Sequence, residues 1–142
     1  MSQDKTIDLL KQRNATGSFV AFLDDVKFLE SELCVYAETE TEFIIIGTDD
    51  FINTVDLSVP NALEGDGPHT VTFPTMGRYW KVMINHFDQP IIEGELIVTF
   101  SNFRKTVTGT FALDLGQAGK VTGNFDLTLV TPKQSDRRVQ PL

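Results

Sequence analysis

Apolar and polar residues alternate with period two over most of the chain. A glycine followed by alternating apolar positions occurs four times: Gly17 with Phe19, Ala21 and Leu23; Gly94 with Leu96, Val98 and Phe100; Gly109 with Phe111, Leu113 and Leu115; Gly123 with Phe125, Leu127 and Leu129. Successive side chains of a strand point to opposite faces, so each copy places three apolar side chains on one side. In the last three copies the intervening residues are mostly Glu, Thr, Asp and Asn, which predicts half-buried antiparallel strands with one wet face. The stretches SNFRK at 101–105 and GQAGK at 116–120 suit hairpin loops, making 92–130 a three-stranded meander. The four glycines read as architecture, at bulges or close contacts, since none belongs to a phosphate-cradling pattern.

The first half follows the same logic less cleanly. Leu33, Val35 and Ala37 alternate in one strand, residues 43–46 form a second, and Phe51, Val55, Leu57 and Val59 form a third that Pro60 closes. Val71 and Phe73 mark another, and residues 78–84 another after the turn at Met76 and Gly77. Asp24 and Asp25 read as a turn, which aspartate suits. A helical pattern is confined to residues 4–13, where Ile7 and Leu10 share a narrow apolar side and Asn14 and Gly17 follow. The predicted fold is therefore all-β: an antiparallel β-sandwich or barrel of about nine or ten short strands with one short N-terminal helix. One domain over 1–131 is followed by a tail over 132–142, where Pro132, Pro141 and the charges between them offer no apolar stripe.

Composition agrees with a folded domain. The 142 residues are 41% hydrophobic and include eleven Phe, a content foreign to disordered chains. No stretch approaches the roughly 20 apolar residues of a membrane-spanning helix. Net charge is −8: residues 1–66 hold 14 acids and 4 bases, residues 67–142 hold 6 acids and 8 bases. That balance repels phosphate backbones and anionic lipid, so neither nucleic acid nor a membrane surface is expected as a partner. Without a visible signal peptide the expected location is the cytoplasm, or the cell envelope if a signal has been removed.

Candidate chemistry is sparse. Cys34 is the sole cysteine, which excludes an internal disulfide, a CxxC pair and a thiolate zinc cluster, and its apolar surroundings predict a packed thiol. The acidic stretches Asp49-Asp50 and Glu64-Gly65-Asp66 lack the spacing of a calcium loop, so no metal is expected, and no cofactor motif is present. No catalytic residues are assigned, because the chain has no GxSxG elbow and only two histidines, His69 and His86. His69 beside Pro68 reads as exposed. His86 continues the stripe of Trp80, Val82 and Ile84 and is expected to point inward at a strand end. Tyr79, Trp80 and His86 are accordingly the candidate ligand-binding residues, at the mouth of a pocket.

From Gly17 to Val130 the pattern resembles a group of uncharacterised bacterial β-domains often found in small lipoproteins. The segments carrying the resemblance are 17–21 (GSFVA), 57–60 (LSVP), 94–100 (GELIVTF), 106–112 (TVTGTFA) and 121–127 (VTGNFDL). It implies a β fold and supplies no catalytic motif. The leading functional expectation is a non-enzymatic binding or protein-interaction domain, with a second copy or another protein as partner, because the strands of 19–36 carry apolar residues on both faces. The alternatives are a β-barrel carrying a small apolar ligand, with the N-terminal helix as lid, and an enzyme of unrecognised type.

Overall fold

A computed structural model of the protein describes residues 15–50, 52–76 and 79–129. Among these residues the chain forms ten strands: β1 (Ala15–Leu23), β2 (Val26–Glu38), β3 (Glu42–Asp49), β4 (Asn53–Pro60), β5 (His69–Phe73), β6 (Lys81–Ile84), β7 (Phe87–Gln89), β8 (Glu93–Ser101), β9 (Thr106–Asp114) and β10 (Lys120–Leu129). They pair in one antiparallel sheet of order β5-β8-β9-β10-β1-β2-β3-β4-β6-β7, curled into a half-barrel. The all-β, antiparallel part of the expectation is borne out, with the strands in one curled sheet. The helix expected over 4–13 and the tail 132–142 fall outside the described residues, among which the helical element is a 3-10 turn at Gly116–Ala118. No helix of the described residues is long and apolar enough to cross a membrane.

Curling has two local causes. The thirteen residues of β2 serve two neighbours, pairing with β1 along most of their length and with β3 through residues 35–38. The β1–β2 register shifts between Thr16 and Phe19 and again between Ala21 and Phe22, and such irregularities bend a sheet and increase its twist. The β1–β2 connection is a two-residue turn with Asp24 and Asp25 both at positive φ, a turn whose twist suits antiparallel strands. Asp24 also ties this corner to the next, its Oδ1 accepting from the Lys120 amide at 3.0 Å.

The meander β8-β9-β10 forms as its alternation dictates. Phe111, Leu113, Phe125 and Leu127 are all buried, and Phe111 and Phe125 stack across the hairpin at 6.4 Å. The register places Phe125 opposite Gly109 and Phe111 opposite Gly123, so each ring lies on the bare backbone of its partner. A Cβ on Gly109 would come within 2.6 Å of the Phe125 ring, and one on Gly123 would collide with the Val20 carbonyl oxygen and the Phe111 ring. Those two positions are glycine because a neighbouring aromatic ring, joined at Gly123 by the Val20 backbone, occupies the side-chain space.

Phe19 of β1 stacks on Phe125 at 5.5 Å and contacts Phe111 at 5.6 Å, extending the row of rings. Phe43 of β3 meets Phe100 of β8 at 5.1 Å across the inside of the curl. At the other end, Trp80 stacks on Phe73 of edge strand β5 at 5.5 Å and donates Nε1–H to the Ser58 carbonyl at 2.9 Å, drawing the two flanks of the sheet together. A second, outward-facing apolar cluster joins Val35 and Ile46, with Ala37 and Ile44 against it.

Candidate functional site

The three residues singled out from the sequence do not converge. Trp80 belongs to the core, with its one polar atom satisfied by Ser58. Tyr79, next to it, is exposed. His86 is also exposed, which corrects the expectation that it points inward. The stripe Trp80, Val82, Ile84 ends because Asn85 and His86 both take positive φ, 53° and 71°, in a two-residue turn between β6 and β7. A period-two extrapolation cannot continue through a turn. His69 is half-buried rather than exposed, with Nε2 at 3.0 Å from the Gly65 carbonyl oxygen and its ring beside Phe100.

A different constellation lies at the end of the half-barrel where the β8–β9 loop meets β2 and β3. Asn102, Phe103 and Arg104 all adopt the left-handed conformation, with φ of 54°, 57° and 65°. Asn tolerates that region, whereas each larger L-residue there costs on the order of 1–2 kcal/mol. The loop is held by contacts that offset the cost. Tyr36 donates its hydroxyl to the Arg104 carbonyl at 2.8 Å, and the Lys105 amide donates to the Asn102 carbonyl at 3.0 Å. The Arg104 guanidinium donates to the carbonyls of Leu63 at 2.6 Å, Gly65 at 3.0 Å and Asn61 at 3.5 Å. Its carbon also lies 4.8 Å from the Phe100 ring centre and 5.5 Å from that of Phe43, close enough for cation–π attraction. Arg104 therefore joins β3, β8 and the β4–β5 loop at one point.

Burial raises the pKa of the Tyr36 hydroxyl, an effect that the Arg104 charge partly offsets and that Glu38 reinforces. The hydroxyl accordingly stays protonated and keeps its bond to the Arg104 carbonyl. With the backbone fixed in this way, the Phe103 side chain projects outward and is 94% exposed. Beside it runs a groove of about 540 Å³ with a strand wall of Tyr36, Ala37, Glu38 and Phe43, a loop wall of Phe103, Arg104 and Lys105, and Leu129 at the end of β10. Glu38 and Lys105 are exposed, one on each wall. The arrangement presents one exposed aromatic ring, that of Phe103, beside one exposed charge of each sign.

Sequence reasoning passed over this site because Phe103 and Arg104 sat inside a segment read only as a hairpin loop. The available signal was a phenylalanine in an otherwise polar turn, next to two bases in an acidic chain. A second groove, of about 450 Å³, is lined by residues of β5, β8 and β9 that include Phe73, Glu93, Glu95 and Asp114. Among the described residues, no three His, Cys, Asp or Glu side chains are grouped as a metal site would require. Comparison with known proteins found no match for this chain among family models, curated proteins or solved structures.

Proposed function

We propose that the protein is a non-enzymatic interaction domain that binds a protein partner through the groove beside Phe103. One observation carries this reading: a phenylalanine that is almost wholly exposed sits on a loop pinned by five side-chain and backbone hydrogen bonds. Loops tolerate polar residues at such tips, and aromatic side chains held rigidly at a surface are the usual anchors of protein interfaces. Pre-organisation lowers the entropic cost of docking, so the pinned loop favours binding further. The interior favours this reading over the apolar-carrier alternative, because the rings of Phe19, Phe43, Phe100, Phe111 and Phe125 pack against one another where a carrier would need space.

The experiment uses the full chain and Phe103→Ser as paired baits, after thermal melts show that the exposed substitution leaves stability unchanged. A polypeptide retained by the wild-type protein and lost with the variant, whether another copy of the chain or a different protein, supports the reading. Identical retention by both baits overturns it.

A further inference from the structure

We propose that residues 4–13 of this chain lie as an amphipathic helix across the outer face of β2, β3 and β4, with Ile7 and Leu10 packed on Val35 and Ile46. The observation behind this is a burial that a single sheet cannot produce alone. Val35 and Ile46 pair across β2 and β3, point away from the interior cluster, and are both 0% exposed. Ala37 and Ile44, the next pair on the same face, are half-buried. On β4, Ser58 stands opposite Ile44 and is buried, and Thr48 and Thr54 form a buried pair beyond Ile46. Side chains on the free face of a sheet keep much of their surface in water, as Glu95, Ala112, Thr122 and Asp126 do on the meander. All ten strands belong to one sheet and pack mainly on their neighbours within it, so no described strand supplies a second layer. Val35 and Ile46 are buried within a single chain, so the cover belongs to that chain.

Outside the described residues, only the two ends, 1–14 and 130–142, are long enough to cross three strands. Where each joins the sheet separates them. β1 starts at Ala15, opposite Cys34, while β2 continues to Glu38, so the N-terminal segment reaches the sheet one residue from Val35. Leu129 ends β10 on the other side of β1, packs against the interior cluster, and donates its amide to the Lys105 carbonyl of the β8–β9 loop. The C-terminal segment thus departs beside that loop, with a whole strand between it and β2.

The sequence chemistry agrees. Residues 4–13 read DKTIDLLKQR, with Ile7 and Leu10 three positions apart on one side of a helix and Lys5, Asp8 and Gln12 on the other. Ten helical residues extend about 15 Å, against about 10 Å from β2 to β4 in a sheet whose strands lie about 4.8 Å apart. An isolated helix of this length is marginal in water, and the Val35 and Ile46 face supplies the apolar surface that holds it. In 130–142 two prolines and the charges between them leave no such stripe.

Nuclear Overhauser spectroscopy on the full-length protein, labelled at its Ile, Leu and Val methyls, tests this directly. Cross-peaks from the Ile7 or Leu10 methyls to those of Val35 and Ile46 are the expected result. Cross-peaks from Val35 and Ile46 to Val130, Val139 or Leu142 instead, or to their neighbours in the sheet alone, overturn the inference. So do Ile7 or Leu10 contacts seen between labelled and unlabelled copies in a mixture, since the cover then comes from a second chain. A double substitution, Ile7→Asp with Leu10→Asp, adds an independent measurement: methyl shifts should move at Val35, Ile44 and Ile46 and stay in place at Leu113 and Leu127 of the meander. Unchanged shifts on the outer face contradict the proposal, and should the variant not fold, the cross-peaks of the wild-type protein decide.

Discussion

The strands β8, β9 and β10 bury one face, while β3 and β4 bury two. Between the inward stripes of the meander, Glu95, Thr110, Ala112, Thr122, Asn124, Asp126 and Thr128 are exposed. On the outward side of β3 and β4, by contrast, Ile46 is fully buried and Thr48, Thr54 and Ser58 nearly so. A wet face makes no demand on its polar groups, because water satisfies them. A covered face must satisfy them internally. Thr48 and Thr54 therefore share a hydrogen bond at 2.8 Å, and Thr48 also reaches the Asn53 carbonyl at 3.1 Å. Ser58 Oγ is buried without a hydrogen-bond partner, a cost of about 1–3 kcal/mol. Between them, Asp56 is half-buried and its pKa is raised to about 8 by that burial, with Lys81 pulling it down and Glu42 pushing it up. The difference teaches that the alternation of the meander reports burial directly, whereas in β3 and β4 the same alternation hides a second packed surface.

The largest effect sharpens the one-faced half of this comparison. Phe125→Ala removes a ring that touches both Phe19 and Phe111 and uncovers Gly109, and should cost about 3–5 kcal/mol in a denaturant titration. A cost near zero would mean that the inner face has been misassigned.

A smaller effect, with a distinctive dependence on pH, tests the two-faced half. The folded-state pKa of Asp56 lies above its ordinary value of 3.8, so the native protein holds this proton more tightly than the unfolded chain does. The associated stability is complete below pH 4, declines as pH rises from about 4 towards 8, and is lost above 8. Asp56→Asn, which mimics the protonated form, should be nearly neutral below about pH 4 and stabilise by about 1–3 kcal/mol at pH 9. Urea titrations at the two pH values decide the matter, and an equal effect at both would contradict it.

The smallest effect belongs to the wet face of the meander. Thr128→Ala on β10 loses only an exposed hydroxyl contact with Thr106 at 3.2 Å and should change stability by less than about 0.5 kcal/mol. The pair Phe125 and Thr128 also tests register, because a slip of one residue would exchange the two faces and bring the two costs together.

Residues differ in how much their neighbours in sequence say about them. Phe111 and Phe125 were legible because a strand with one wet face imposes its period on the residues themselves. Cys34 was legible as a buried thiol for the same reason, its apolar neighbours marking a covered strand. His86 was not legible, since nothing local to Trp80, Val82 and Ile84 announces that the next two residues turn with positive φ. The three-residue strand β7 is too short to show any period at all. The Phe103 site escaped because its parts come from β2, β3, the β4–β5 loop and the β8–β9 loop, and no window of sequence contains them together.

By itself the sequence determined that the protein is an antiparallel β domain, where its meander turns, and which side of each meander strand is apolar, because alternation and turn chemistry act over a few residues. Tertiary structure alone decided that the strands form one curled sheet, that the outward side of β3 and β4 is covered, and that Arg104 pins an exposed Phe103 beside a groove. Those outcomes depend on contacts between residues far apart in the chain, such as Tyr36 and Arg104, 68 positions apart, or the paired strand ends Ala15 and Leu129. Local propensity carries no information about such separations; only the packing of the whole sheet brings the partners within reach.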